Sequence, residues 1–275
     1  MKAARKAGLE RQLRWWLTET SVTIHLLLSN WTKQDEESCG ALAEITDAGG
    51  TVSRVGPQLQ ILNRIECLRA LYDSQHDWGI MLDDDAVLYN EPHHNSGPAL
   101  FAEMAANGTA AYDGVDVFFP INPQKVGFSP IWKKDPDLFR DNHVFRRNLD
   151  LKGSMFVVRN FVKEGRSPVY PPSNFVLHGE DTLFAIEAVA NGRTVMQCQN
   201  IVLKEFSLPS HYAAKGEDRK PKMREGNEWI ASRYGNLGLR MKQNSHLLDK
   251  SDLLARCYPP LASLIFCCKP LSVET

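Results

Sequence analysis

The sequence contains no long apolar run, and its first residues have no signal-like apolar core. A membrane-spanning helix needs about 20 consecutive apolar residues, and the most apolar stretch, residues 261–268, is much shorter. The N-terminal segment MKAARKAGLERQLRWWL has lysines and arginines spread through it, unlike a secretory signal. We therefore predict a cytoplasmic protein that begins with an amphipathic helix, with Leu9, Leu13, Trp16 and Leu17 near one face.

The chain also has almost no net charge. Its 32 Lys and Arg against 33 Asp and Glu give a formal charge of −1, which excludes a generally basic nucleic-acid-binding protein but not a local basic face. Hydrophobic residues make up 43% and charged residues 24%, a globular composition that argues against a disordered, collagen-like or coiled-coil chain. The cysteines form no C-x-x-C pair and have no histidine at zinc-ligand spacing, so we predict free thiols in a reducing cytoplasm.

Strand and helix patterns alternate along the first third of the chain. Short strand-forming runs at 22–28, 51–55 and 78–82 are separated by helical patterns over 35–48 and 59–72. This β-α-β-α-β order predicts parallel strands with right-handed crossovers, and hence an α/β fold.

Later segments continue the α/β pattern without a linker-like boundary. We expect further strands at 115–120, 154–158 and 194–197, a helix over 182–190, and a mobile polar segment at 209–228. The predicted organisation is one domain over residues 21–245, preceded by an N-terminal helical extension (1–20) and followed by a C-terminal tail (246–275).

Three consecutive acids, Asp83, Asp84 and Asp85, follow the predicted strand at 78–82. In open α/β sheets, ligands bind beyond the carboxyl ends of the strands. Asp83 and Asp85 would share one face, and two adjacent carboxylates repel each other unless a cation lies between them. Carboxylate oxygens on a partly open site suit Mg²⁺ or Mn²⁺ that also binds substrate phosphates. The alternative interpretation is a solvated turn after the strand.

A second acidic pair, Glu180 and Asp181, follows Gly179 and opens a predicted helix. Such carboxylates are often only helix caps or dipole partners, but a transferase also needs a base separate from its metal site. His211 lies in a polar segment and is either a further metal ligand or an exposed histidine.

The order of these motifs resembles that of nucleotide-sugar glycosyltransferases of the GT-A fold. The similarity spans residues 22–212 and rests on Ser29-Asn30, Asn63-Arg64, Leu82-Asp83-Asp84-Asp85, Gly153-Ser154-Met155-Phe156 and Gly179-Glu180-Asp181. More narrowly, the sequence resembles the TET/JBP-associated glycosyltransferases of base J and phage type, which modify hydroxymethylated pyrimidines in DNA. The resemblance implies a Rossmann-like, mostly parallel sheet flanked by helices, with residues 21–245 as the catalytic domain.

The same resemblance implies a donor, a cofactor and residue roles. The donor would be a UDP-sugar, with UDP-glucose the first choice, and the acceptor a hydroxymethylated pyrimidine in DNA, in a host cytoplasm if a phage encodes the protein. Donor binding would involve Ser29, Asn30, Trp31, Arg64, Asp83, Asp84, Gly153 and Ser154. Mn²⁺ or Mg²⁺ would be held by Asp85, Asp83 and His211, although the triplet leaves open which carboxylate serves which role. Asp181 would be the general base of an inverting transfer and Glu180 would position donor or acceptor, with a retaining outcome left open.

Two basic stretches are candidates for tracking DNA phosphates. The candidate DNA-binding residues are Lys133, Lys134, Arg140, Arg146, Arg147, Lys220 and Lys222. Interleaved aromatics, among them Phe145, Phe156 and Phe161, could hold a flipped base or simply belong to the core. The competing hypotheses are a glycosyltransferase acting on lipopolysaccharide or another surface glycan, and a non-catalytic nucleic-acid-binding module.

Overall fold

The computed structural model describes residues 3–56, 59–84, 86–88, 97–121, 143–149, 151, 153–175, 177, 179–205, 219–257 and 267–268. The helices are α1 (Ala3–Glu19), α2 (Lys33–Glu37), α3 (Ala41–Asp47), α4 (Gln60–Tyr72), α5 (Gly97–Asn107), α6 (Glu180–Ala190), α7 (Arg219–Arg233) and α8 (Ser251–Cys257). The strands are β1 (His25–Ser29), β2 (Thr51–Val55), β3 (Trp78–Leu82), β4 (Ala86–Leu88), β5 (Val117–Ile121), β6 (His143–Arg147), β7 (Met155–Arg159), β8 (Val195–Glu205), β9 (Arg240–Met241), β10 (Leu248–Asp249) and β11 (Cys267–Cys268).

The protein has an α/β fold with mixed sheets. Strands β1 and β2 pair in parallel, while a larger sheet has the order β11-β6-β8-β5-β7-β3, with β4 beside β8. In that sheet β5 and β8 are parallel, but β7 runs antiparallel to both of its neighbours and β6 runs antiparallel to β8. The α/β class is confirmed, whereas the expectation of a mostly parallel sheet is not met by the strand pairs that the structure describes.

Both faces of the larger sheet are buried. All five residues of β7 are buried, and its four apolar residues alternate between two hydrophobic clusters. Phe156 and Val158 pack on the side of α4 and α6, whereas Met155 and Val157 face the cluster that contains Tyr112. A strand that is buried on both faces has a nearly continuous apolar sequence, as this one does.

The aromatics offered for base stacking belong to these clusters. Phe145, Phe156 and Phe161 are 3%, 0% and 0% exposed, so for these three the core interpretation is correct. Phe145 makes edge contacts with Tyr112 and Phe118 that fix its ring inside the protein.

The N-terminal helix α1 packs onto the rest of the fold along two adjacent stripes. Leu9 and Leu13 are buried in one cluster with Ile45 of α3, while Trp16 is buried against Ala86. Four-residue spacing places side chains on one helical face, which explains why each stripe repeats at that interval. The predicted amphipathic helix is therefore confirmed.

The C-terminal part that the structure describes is folded onto the core. Residues 219–228 lie within α7, so the expectation of a mobile segment at 209–228 is wrong for them. Pro221 fits there because the first turn of a helix tolerates proline. Leu248 and Leu253, from the predicted tail, are buried in the same cluster as α4 and α6. Among the helices described, none has the length and apolar character needed to cross a bilayer.

Candidate functional site

One buried arginine joins the two predicted acidic motifs. Nη2 of Arg64 donates hydrogen bonds to Oδ1 of Asp83 at 3.1 Å and to Oδ1 of Asp181 at 3.2 Å. The same nitrogen reaches the carbonyl of Gly153 at 3.1 Å, and the guanidinium lies 5.1 Å from the centre of the Phe156 ring. Tertiary structure therefore brings four of the predicted site residues into one contact network, which we call the Arg64 cluster: Arg64, Asp83, Gly153 and Asp181.

Secondary structure explains how these residues meet. Arg64 lies in the second turn of α4, the helix that follows β2, and Asp83 comes directly after β3. The backbone N–H of Asp83 donates to the carbonyl of Ser154 at 2.9 Å, which continues the β3–β7 pairing one residue past Leu82. Ser154 thus fixes the backbone of Asp83, and its own side chain is buried rather than presented to solvent.

Asp181 lies in the first turn of α6 and packs directly on Gly153. A side chain at Gly153 would place its Cβ 2.5 Å from Cγ of Asp181, far inside a normal contact. An alanine at this position would therefore force the Asp181 carboxylate to move. Gly179 precedes α6 with φ +115°, a left-handed conformation that favours glycine.

Glu180 is buried and turns back toward the start of its own helix. Its Oε2 accepts a hydrogen bond from the backbone N–H of Gly179 at 3.2 Å. This bond keeps the Glu180 carboxylate at the start of its own helix, although the N-cap residue Gly179 has no side chain to cap it. Of the two acids, Asp181 is the one that lies in the Arg64 cluster and also borders the pocket described below.

Burial and charge act against each other in the Arg64 cluster. The pKa of Asp83 is raised to about 6 in total: burial raises it most, Arg64 lowers it, and the carboxylates of Asp181 and Asp84 raise it. Burial alone would lower the pKa of Arg64, but Asp181 and Asp83 outweigh that effect and raise it above its ordinary value. The arginine therefore stays charged and holds together carboxylates that would otherwise repel each other.

Helix α1 also restrains the acidic turn after β3, through the side chain of Gln12. Nε2 of Gln12 donates to the carbonyl of Asp83 and, at 2.7 Å, to the carbonyl of Ala86. Gln12 is 2% exposed and lies on the α1 stripe that also carries Trp16. Sequence reasoning missed this contact, because a single glutamine in an amphipathic helix gives no signal of its partner.

A pocket of about 530 Å³ lies beside Asp181. Its polar lining includes Lys242 and Lys250, with Asn148 on one wall and Asn227 of α7 on another. Nζ of Lys250 donates to the carbonyl of Leu149 at 3.1 Å, and Nδ2 of Asn227 donates to the carbonyl of His246 at 2.8 Å. This volume lies within the range of small-molecule sites. Sequence reasoning missed these residues because they come from segments that it treated as loops or tail.

The residues present fit a divalent cation bound through few protein ligands. Asp83 offers a carboxylate that is 36% exposed, and half-buried Asp84 follows it in the chain. Mg²⁺ is commonly held by one or two carboxylates together with substrate phosphates. Within the part of the chain that the structure describes, no group of three or more His, Cys, Asp or Glu is placed to hold a metal.

Several predicted site residues lie outside the described residues. They are the proposed metal ligands Asp85 and His211 and the basic residues Lys133, Lys134 and Arg140. The structure therefore gives no position for these side chains.

The predicted nucleobase segment lies at the carboxyl end of β1. Asn30 has φ +58°, a left-handed conformation that asparagine tolerates, and its backbone N–H donates to the carbonyl of Val55 at 3.3 Å. Ser29 and Trp31 flank it and are half-buried. Because β1 and β2 are parallel, their carboxyl ends lie at the same edge, and α4 follows β2 at that edge. Arg64 of α4 reaches Asp83 from there.

None of the four described basic candidates is among the residues that line the pocket. Arg146 is exposed, and Arg147 is followed in the chain by Asn148 and Leu149 of the pocket lining. On α7, Lys220 and Lys222 are exposed, and Met223, which follows Lys222, lines the pocket. The lysines that line the pocket are Lys242 and Lys250, which the sequence did not single out.

Comparisons with known proteins give no family assignment. No family model matches the chain, and no curated protein matches it. Solved structures do match, among them one described as the crystal structure of a mycobacterial protein, with 14% identity and a TM-score of 0.44 over 85% of this chain and 72% of that chain. A similarity this distant carries no argument about activity.

Proposed function

We propose that the protein is a metal-dependent glycosyltransferase that moves a sugar from a nucleotide-diphosphate donor, a UDP-sugar, to the hydroxyl of a hydroxymethylated pyrimidine in DNA. The observation that carries the proposal is the Arg64 cluster. It joins an acidic turn at the end of a strand to a second carboxylate, Asp181, at the edge of a pocket. A transferase needs these two features side by side: a site for the leaving group and a base facing the acceptor.

The strand directions support a GT-A type fold as the finer proposal. β3, β5 and β8 run in the same direction, and β7 runs in the opposite direction between β3 and β5. The acidic turn follows β3 at its carboxyl end, where α/β sheets bind ligands. The nucleobase would lie against Ser29, Asn30 and Trp31, at the same edge.

On the donor side, the turn that begins at Asp83 would hold the diphosphate through a divalent cation. Asp83 and Asp85 would be its carboxylate ligands, with His211 as a further ligand. Bound Mn²⁺ or Mg²⁺ supplies Lewis-acid stabilisation of the negative charge that develops on the leaving phosphate oxygens. Arg64 fixes the orientation of Asp83 through its hydrogen bond to Oδ1.

On the acceptor side, Asp181 would act as the general base. The acceptor oxygen attacks the anomeric carbon, the bond from that carbon to the diphosphate oxygen breaks, and the hydroxyl proton passes to the Asp181 carboxylate. Attack from the face opposite the leaving group inverts the anomeric centre. Arg64 and Gly153 hold the carboxylate in one position, as a base that must meet a single proton requires.

Basic residues support DNA as the acceptor. Lys242 and Lys250 line the pocket, Arg146, Lys220 and Lys222 are exposed, and the chain as a whole is close to neutral. Exposed positive charge on a neutral protein suits a phosphate backbone that presents one extruded base.

The proposal is tested by incubating the protein with hydroxymethylated or unmodified DNA, a panel of nucleotide sugars and Mn²⁺, followed by mass spectrometry of the nucleosides. We expect a hexose mass added only to the hydroxymethylated nucleoside, and no product with chelator or with Asp85→Ala. Donor hydrolysis without DNA modification would support a glycosyltransferase whose acceptor is a surface glycan instead of DNA. Absence of donor binding would refute the function.

A further inference from the structure

Helix α1 reaches the proposed donor site through a single buried amide. Gln12 donates to the carbonyls of Asp83 and Ala86, which lie on either side of the turn that carries Asp84 and Asp85. One side-chain nitrogen thus bonds the carbonyls at both ends of the turn and holds them together, as a backbone hydrogen bond does in a tight turn.

We propose that Gln12 is a positioning residue that fixes the acidic turn after β3, so that α1 is an integral part of the donor site rather than an appended extension. This inference rests on the proposed function for its catalytic meaning. The structural part of the inference, that Gln12 restrains the turn, can be measured without an activity assay.

Three observations carry the proposal. Gln12 is 2% exposed, so its amide is kept in the interior although burial of an unpartnered amide is costly. Both of the hydrogen bonds that its amide nitrogen donates go to the acidic turn. Trp16, one helical turn further along α1, packs against Ala86 and Phe101 and so anchors the helix on the same strand.

Repulsion between neighbouring carboxylates explains why a metal-binding turn needs such a restraint. Adjacent carboxylates repel each other, and Asp83, Asp84 and Asp85 follow one another in this turn. A fixed backbone holds such carboxylates in place against that repulsion. Groups that orient metal ligands from behind typically account for about 10- to 100-fold in metal affinity.

The test compares Gln12→Met, which keeps the length of the side chain but removes the donor, with Leu13→Ala. Leu13 is a matched control because it is the next residue of the same helix, is equally buried, and packs against α3 instead of the acidic turn. Hydrogen–deuterium exchange of the segment 82–88 is measured first, and Mn²⁺ binding is then measured by titration with the metal alone and with metal plus UDP.

We expect exchange in the segment 82–88 to rise about tenfold in Gln12→Met, the effect of losing a buried hydrogen bond, and to stay near the wild-type rate in Leu13→Ala. Mn²⁺ affinity in the presence of UDP should fall about 10- to 100-fold in Gln12→Met only. If Gln12→Met does not fold, Gln12→Asn, which keeps the amide but is too short to reach both carbonyls, takes its place.

Unchanged exchange in Gln12→Met, or the same increase in both variants, would overturn the inference, because Gln12 would then only help α1 to pack. If the wild-type protein binds no Mn²⁺, the proposed function fails while the exchange comparison still decides the role of Gln12. If the wild-type protein binds Mn²⁺ and Gln12→Met binds it equally well, the inference fails and the proposed function stands.

Discussion

Gly153→Ala is the substitution that most directly probes the Arg64 cluster. The new Cβ would lie nearest to Oδ2 of Asp181, 2.5 Å from its Cγ and 3.1 Å from its Oδ1. Carbon atoms that are not bonded to each other lie about 3.5 Å apart or more, so the carboxylate must move by at least about 1 Å. Since Gly153 does not have a positive φ, alanine fits its backbone and the effect comes from the side-chain contact alone.

The cost follows from what holds Asp181 in place. A carboxylate that moves away from Gly153 also moves away from Arg64, whose guanidinium is 6% exposed and depends on its acidic partners. Forcing extra volume into a packed site costs about 1 to 3 kcal/mol of unfolding free energy. A base displaced by about 1 Å should lower the transfer rate about 100-fold.

A double-mutant cycle separates the contact from other effects. Urea unfolding is measured for wild type, Gly153→Ala, Asp181→Ala and the double variant. Once Asp181 is shortened, alanine at position 153 meets no carboxylate, so its cost should disappear and give a coupling energy of about 1 kcal/mol or more. If Gly153→Ala is equally costly in both backgrounds, or costs nothing, the described packing of Asp181 on Gly153 is wrong.

Three further predictions concern charge and catalysis. Because the folded-state pKa of Asp83 is about 6, above its ordinary 3.8, its ionisation destabilises the fold as pH rises through 6. Asp83→Asn should therefore be more stable than wild type at pH 7 and lose that advantage toward pH 4 in urea unfolding, and a constant difference would contradict this. Charge reversal at Arg146 and Arg147 should weaken DNA binding and reduce its logarithmic salt slope by about 2, measured by fluorescence anisotropy, whereas unaltered affinity would indicate another acceptor surface. Asp181→Asn should retain donor binding but lower the transfer rate about 100- to 10,000-fold, and an unchanged rate would assign the base elsewhere.

Local patterns in the sequence predicted individual elements well. The strands at 51–55 and 78–82 and the helix at 59–72 agree with β2, β3 and α4 to within a residue. The acidic motifs were also found at the end of a strand signal, at Asp83, and at the start of a helix signal, at Asp181. These features depend on residue spacing within one segment, which a sequence displays directly.

The spacing of residues within one segment did not indicate the direction of the strands or which residues contact the acidic motifs. The antiparallel course of β7 depends on which strands lie beside it, and its apolar residues would read the same in either direction. Residues 219–228 look polar because α7 buries only a narrow stripe, so their helix was mistaken for a mobile segment.

The sequence by itself determined the α/β class, the order of the elements and the two acidic motifs, because each is set by neighbours along the chain. Only the tertiary structure decided that Arg64 bridges those motifs, that Gln12 closes the turn beside them, and that the C-terminal segments form a pocket wall next to Asp181. Each of these contacts joins residues far apart in the chain, and long-range contacts are chosen by how the whole core packs rather than by any local pattern.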